Sequence, residues 1–261
     1  MIQNESFKTK VDFCKMSRFS LLKKYLPLGD ALSIYRKIKS KKYTGLKVSR
    51  LQYPFSMRDN AYDFATFEEV ILRETYKIQL DFKPRSIIDG GGNIGLTAAY
   101  FATQFPEASI VTLEPDKENF ALLQKNTSAY KNITALNSGL WWRTADLVVK
   151  DMGLGNNGFV VEETTGQTTG SVPALSIHDI MLQQGWKHID LVKLDVEGSE
   201  KEIFSSGFES WLPKTRVLIV ELHDRMKKGC SRSVFNAMNS FHFSLEIAGE
   251  NLVFRNEDLP S

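Results

Sequence analysis

Short apolar runs, each closed by a polar group, recur through the chain and are separated by segments of helical spacing. Ser86-Ile87-Ile88-Asp89 leads into Gly90-Gly91-Gly92-Asn93-Ile94-Gly95, after which Leu96 to Ala102 reads as a helix. Ser109 to Glu114 predicts a second strand, stopped by Pro115, which cannot donate to a ladder. A helix follows from about Asp116 to Ser128, then a third strand over Ile133 to Asn137. Ile189 to Asp195 and Arg216 to Glu221 read as the fourth and fifth strands. Helices are predicted over Ser176 to Gln184, closed by Gly185, over Ser199 to Ser206, where Ser199 and Glu202 have capping-box spacing, and over Val234 to Ser240. Phe243 to Ile247 and Leu252 to Phe254 flank Gly249-Glu250-Asn251 as a hairpin. Strand and helix in alternation predict an α/β fold: a doubly wound, mostly parallel sheet covered on both faces, with a C-terminal antiparallel hairpin at its edge.

Two stretches depart from this alternation. Residues 17–40 carry helical spacing on both sides of a break at Pro27-Leu28-Gly29-Asp30, Leu46 to Tyr53 alternates as a strand would, and Thr66 to Arg73 reads as a helix with Asp63 as its cap. Residues 143–172 mix short β-like pieces with Gly, Asn and Thr, which predicts a hairpin insert or flap.

Charge sharpens the division. The formal net charge of +2 is nearly neutral, yet residues 1–50 hold 13 Lys/Arg against 3 Asp/Glu, leaving 20 against 28 in residues 51–261. The expected organisation is therefore a basic helical N-terminal extension over 1–50 and one α/β domain over 51–261. The arm is amphipathic, so it packs on the domain or lies on an anionic membrane surface or lipid-linked partner. Two cysteines, Cys14 and Cys230, cannot build a disulfide framework. With no run of membrane-spanning length and no leader-like apolar start, a cytoplasmic protein is expected, peripheral to a membrane at most. No C-x-x-C or H-E-x-x-H pattern marks a zinc site, and nothing calls for nucleic acid as a partner.

Chemistry gathers at the strand ends. In a doubly wound sheet the carboxyl ends of the strands share one rim, so Asp89, Glu114, Asp195 with Glu197, and Glu221 with His223 can converge there. Gly90-x-Gly92-x-x-Gly95 formally matches a dinucleotide turn, and Glu114 stands where an acid meets a ribose diol. Residues alone leave a nicotinamide-dependent oxidoreductase open, as well as a non-catalytic membrane-associated binding domain using the arm. Asp195, Glu197 and His223 are the candidate catalytic groups; with Glu221 they could instead hold a hard divalent cation, although no metal is expected. Asp224 and Arg225 read as an exposed ion pair.

Asp89-Gly90-Gly91-Gly92-Asn93-Ile94-Gly95 resembles the first motif of class I S-adenosylmethionine-dependent methyltransferases, and Leu113-Glu114-Pro115 resembles their ribose-binding motif. Lys193-Leu194-Asp195-Val196-Glu197-Gly198-Ser199-Glu200 and Val220-Glu221-Leu222-His223-Asp224-Arg225 are similar specifically to the FkbM-type family. The resemblance runs from about Tyr53 to Arg255 and leaves the arm uncovered. It implies a Rossmann-like domain, S-adenosyl-L-methionine as cofactor, and O-methylation of a sugar, glycan or other small-molecule hydroxyl, free or lipid-linked. It implies a cofactor site made of Gly90, Gly91, Gly92, Asn93 and Gly95 around the methionine end, Glu114 with Pro115 at the ribose, and Asn137, Ser138 and Leu140 near the adenine. Asp89 would hold the glycine loop or meet the cofactor's ammonium.

Overall fold

The computed structural model describes residues 17–151, 159–164 and 170–259. Its main sheet grows outward from the strand before the glycine turn. β1 (Ser86–Gly90) pairs in parallel with β2 (Ser109–Leu113) on one side and with β8 (Ile189–Leu194) on the other. β3 (Ile133–Leu136) extends the sheet beyond β2, and β9 (Thr215–Glu221) beyond β8, both in parallel. The terminal hairpin, β10 (Phe243–Ala248) and β11 (Asn251–Asn256), joins β9 antiparallel through β11. The order is β10-β11-β9-β8-β1-β2-β3. The chain thus leaves β1 in one direction and returns on its other side. The crevice at such a reversal opens between the carboxyl ends of β1 and β8.

Neighbouring apolar residues of the strands point to opposite faces, and each face has its own core. Ile87, Ile110, Leu191 and Val217 pack on one side; Ile88, Val111, Val192 and Leu218 pack on the other. The first face is covered by α1 (Arg18–Tyr25), α2 (Leu28–Lys39), α3 (Ala61–Phe67) and α4 (Leu96–Gln104). The second is covered by α6 (Ile177–Gln184), α7 (Glu200–Ile203) and α8 (Cys230–Met238). Leu21, Leu22, Ala31, Ile34 and Ile38 of the basic arm lie in the same cluster as Ile71 and Phe101. The apolar side of α1 and α2 is therefore spent on the domain, and Lys23, Lys24 and Lys39 are exposed. Among the described residues no helix is long and apolar enough to cross a membrane.

Several local expectations change. Only Leu26 and Pro27 separate α1 from α2: Leu26 ends α1 in an extended conformation, Pro27 stands at the N-cap of α2, and Leu28-Gly29-Asp30 form the first turn. Leu46 to Tyr53 makes only one antiparallel bridge, Leu46 to Phe55; its alternating apolar residues are buried from a loop. The cap of α3 is Asn60, whose side chain accepts from the Asp63 N–H at 2.7 Å, while Asp63 itself is buried and paired with Arg58 at 2.8 Å. α3 continues into a π-helical turn over Glu68–Leu72, and Arg50 holds its end by donating to the carbonyls of Ile71 and Leu72. The capping box at Ser199 is absent: α7 is one turn long, Ser199 makes no cap bond, and Glu202 pairs with Lys227 at 2.8 Å. α8 starts at Cys230, four residues before the predicted Val234, and Cys230 is a buried free thiol. Asp224 accepts from the Gly229 and Ser231 N–H groups, so it ties down the loop before α8.

α5 (Lys117–Thr127) is the helix predicted over Asp116 to Ser128, and Asp116 caps it by accepting from the Glu118 and Asn119 N–H groups. The insert and the strands flanking it form a second sheet, of order β4-β7-β5-β6, from β4 (Gly139–Leu140), β5 (Ala145–Asp151), β6 (Phe159–Glu163) and β7 (Ser171–Leu175). β5 and β6 are the predicted hairpin, although its turn lies outside the described residues; β7 was not foreseen.

Candidate active site

The glycine turn is held by the neighbouring strand end. The N–H groups of Gly91 and Gly92 both donate to the Leu113 carbonyl, at 3.1 and 2.8 Å. Gly91 has a φ of +76°, and a Cβ built there would meet the Asp195 carbonyl oxygen at 1.8 Å. Glycine is required at this point because two backbones touch there. Asn93, at φ +46°, is also left-handed, and its N–H donates to Glu114 Oε2 at 2.8 Å.

A cleft with about 570 Å³ of empty space, part of it open to solvent, runs over this turn. Of the expected cofactor residues, Gly91, Asn93, Glu114, Pro115 and Leu140 line it. Leu113, Gly139, Val161 and Val196 add walls that were not among the expected cofactor residues. Glu114 is 5% exposed, and its Oε1 accepts from the Asp116 N–H at 2.9 Å. Burial pushes its pKa up to about 8, against the pull of the two backbone donors.

Other expected residues stand behind the cleft. Gly92 leaves room for Thr112 and Leu123, and Gly95, at φ +83°, opens α4 against Leu123 and Thr127. Gly90 lies under Leu140 and Leu194. Asn137 donates to the carbonyls of Glu114 and Pro115, at 2.9 and 3.2 Å, so it holds the acidic strand end in place. Ser138 is buried and donates to the Pro173 carbonyl at 2.8 Å.

Asp89 does not reach the cleft. It is fully buried, accepts from Thr112 at 2.8 Å and pairs with Lys193 Nζ at 3.2 Å. Lys193, 1% exposed, also donates to the carbonyls of Gly90 and Gly91, at 3.2 and 2.8 Å. β1 and β8 are registered so that Asp89 stands opposite Lys193. Burial opposes the charge on Lys193, but Asp89 and Asp195 hold its pKa above the ordinary lysine value. The expected loop-holding role of Asp89 thus passes through Lys193. A lysine inside the run Leu191-Val192-Lys193-Leu194 was the available signal, since a charge in a buried strand needs a partner.

A second, polar hollow adjoins the first. Thr66, Glu69, Val70 and Tyr76 come from α3 and the segment after it, and Glu221 and His223 come from the end of β9. Gly91, Asn93, Asp195 and Glu197 line both hollows. The three expected catalytic residues do meet here. His223 Nε2 lies 3.4 Å from Glu197 Oε2, 3.5 Å from Asp195 Oδ1 and 3.8 Å from Glu221 Oε1. One donor atom from each of Asp195, Glu197 and His223 falls within 4.8 Å of the others, a span in which they could share a cation. Glu197 sits at φ +49°, in the left-handed region, and lines both hollows.

Crowding of acids sets the electrostatics. Burial first, then the Asp195 charge, raises Glu197 to about 8 and Glu69 to about 7. The same two causes raise Glu221 to about 7. Burial disfavours the charged His223 ring, but Glu200 and the surrounding acids outweigh it and raise the ring to about 9. Glu69, Tyr76 and Glu200 escaped the sequence reading as site residues. The first two lie on an element upstream of every motif, and Glu200 acts from behind His223.

The fold and site define a strand-end cleft of methyltransferase class. The profile of the methyltransferase FkbM domain matches residues 89–254, more than half of the chain. The chain belongs to the FkbM methyltransferase family, and the oxidoreductase reading is set aside. Methyltransferase sdnD of Sordaria araneosa is 27% identical over 168 residues, 52% of this chain and 65% of that protein. Methyltransferase 1 of Beauveria bassiana is 23% identical over 179 residues, 60% of this chain and 72% of that protein. The chain thus spans just under two thirds of the Sordaria relative. Among solved structures, the FkbM methyltransferase of Methylobacillus flagellatus aligns with a TM-score of 0.48 at 14% identity, covering 91% of this chain and 58% of that one. An O-methyltransferase of Bacillus cereus in complex with SAH aligns with a TM-score of 0.41 at 10% identity, covering 95% and 96%. The strand order and the family match carry the fold assignment without these.

Proposed function

We propose that this chain moves the methyl group of S-adenosylmethionine onto a hydroxyl oxygen of a sugar, glycan or other small-molecule alcohol. The observation that carries the reading is the wall shared by the two hollows: Gly91, Asn93, Asp195 and Glu197 face both. A ligand in the first hollow therefore adjoins a ligand in the second. The first fits the cofactor by chemistry. Leu113, Pro115, Leu140, Val161 and Val196 offer apolar walls for a flat base, beside a buried carboxylate for a ribose diol. The Asp195 carboxylate supplies negative charge toward the cationic end, with Glu197 beside it. When bound, S-adenosylmethionine supplies the electrophilic methyl group.

The second hollow suits a hydroxylated acceptor. Glu69, Glu221, Asp195 and Glu197 accept hydrogen bonds from several hydroxyls at once and orient one of them. The cluster around His223 takes the proton that the acceptor oxygen must lose. Lys23, Lys24 and Lys39, exposed on α1 and α2 opposite the packed apolar side, form the surface that meets an anionic lipid face when the acceptor is lipid-linked.

Transfer of a labelled methyl group tests both points. We expect label on a hydroxylated acceptor from a panel of sugars presented free and as lipid-linked glycans in anionic vesicles. If the arm contributes, the vesicle-borne acceptor is methylated faster at low salt, and the advantage fades as salt screens exposed charge. Label on nitrogen acceptors alone would refute the oxygen reading, and equal rates for both presentations at every salt would refute the arm's role.

A further inference from the structure

Behind the catalytic cluster stands a carboxylate that faces neither hollow. Glu200 opens α7 and is fully buried. Its Oε1 lies 2.8 Å from His223 Nδ1 and receives the Val196 N–H only at 3.4 Å. Among the described residues its Oε2 has no hydrogen-bond partner. Beyond the weak donor of the Cys230 thiol Glu200 has little else to bond, and a buried carboxylate is costly without a cationic or stronger donor partner. His223 is that partner.

The pairing decides which ring nitrogen is free. A carboxylate accepts hydrogen bonds and donates none, so Nδ1 must carry the hydrogen. The lone pair of the neutral ring is then on Nε2, the atom that faces Asp195, Glu197 and Glu221. Those separations exceed the 2.7–2.9 Å of charge-assisted hydrogen bonds, so Nε2 is not taken up by its neighbours.

We propose that Glu200 is the positioning residue of the active site: it locks His223 with Nδ1 protonated, so that Nε2 is the atom that receives the acceptor's proton. The proposal rests on the methyl-transfer reading above. In the step, the acceptor O–H bond breaks and its proton passes to Nε2. An oxygen electron pair forms the new O–CH₃ bond, and the pair of the broken S–CH₃ bond stays on the donor's sulfur. The resulting imidazolium lies against Glu200 on one side and against Asp195 and Glu197 on the other. Of the three candidate groups, His223 thereby becomes the base, and Glu197 and Asp195 steady the charge it acquires.

Two measurements test this. The first is the ¹⁵N spectrum of the imidazoles in the full-length wild-type protein, taken above the His223 value of about 9 with His223→Asn used for assignment. The neutral ring is expected as the Nδ1–H tautomer, the minor form of free histidine. In Glu200→Gln the amide can donate to Nδ1 instead, and the tautomer should shift toward Nε2–H. This readout needs no cofactor or acceptor, so it fails independently of the methyl-transfer reading. The second is turnover: Glu200→Gln should lower kcat by about 10²–10⁴-fold, the range for losing general-base catalysis, with S-adenosylhomocysteine affinity within about twofold of wild type. A wild-type ring in the Nε2–H form would overturn the proposal. So would wild-type turnover in Glu200→Gln, or activity lost to a chelator and restored by a divalent cation, because Nε2 would then be a metal ligand.

Discussion

Gly91→Ala is expected to abolish detectable binding of S-adenosylhomocysteine and to lower the melting temperature sharply. Two costs combine. A left-handed backbone costs an L-residue about 1–2 kcal/mol, and the φ at Gly91 is +76°. The added Cβ would also lie 1.8 Å from the Asp195 carbonyl oxygen, a backbone atom that cannot swing aside. Relief requires the carboxyl ends of β1 and β8 to part, and that junction is the floor shared by both hollows. Gly249→Ala is the control. It has a φ of +68° with nothing within 4 Å of the new Cβ, so only the backbone cost applies and binding should be unaffected. Calorimetric titration and thermal melting of the two variants decide the matter; Gly91→Ala binding like wild type would mean that the strand ends separate freely.

Lys193→Met should destabilise the protein by about 3–5 kcal/mol, the cost of stranding one partner of a buried ion pair. The change leaves Asp89 fully buried without its cation and removes the donor to the Gly90 and Gly91 carbonyls. Adding Asp89→Asn should restore part of the loss, because the stranded charge is gone and Thr112 can still donate to the amide oxygen. The coupling is read from denaturant unfolding of the two single variants and the double variant. Strict additivity would show that Asp89 and Lys193 do not support each other.

The strand–helix alternation was legible because it rests on periodicity, and the buried strands are continuous apolar runs. Acids at strand ends were legible for the same reason: strand ends share a rim, so Glu114, Asp195, Glu197 and His223 could be placed near one another before their distances were known. Partners arriving from outside the motifs were not legible. Glu69 and Tyr76 reach the second hollow from a π-helical turn and the loop after it, whose course depends on Arg50 holding the turn's last carbonyls. Asn137 and Ser138 occupy the expected region but bond to backbone instead of lining the cleft, which no spacing rule distinguishes. Glu200 was visible within a motif yet read as ordinary helix, since its role depends on which way His223 turns.

Calorimetric titration with S-adenosylhomocysteine decides whether the cleft beside Glu114 holds S-adenosylmethionine, as proposed. Burial raises Glu114 to about 8, and a ribose diol donates to the charged carboxylate. Affinity should therefore tighten as pH rises toward that value, with a proton released on binding at lower pH. Above it, Glu114→Gln should weaken binding about tenfold to a hundredfold, in line with roughly 1.5–3 kcal/mol for hydrogen bonds to a charged group. NAD should give no binding heat. Saturable binding of NAD, with none of S-adenosylhomocysteine, would overturn the assignment of the cleft to S-adenosylmethionine.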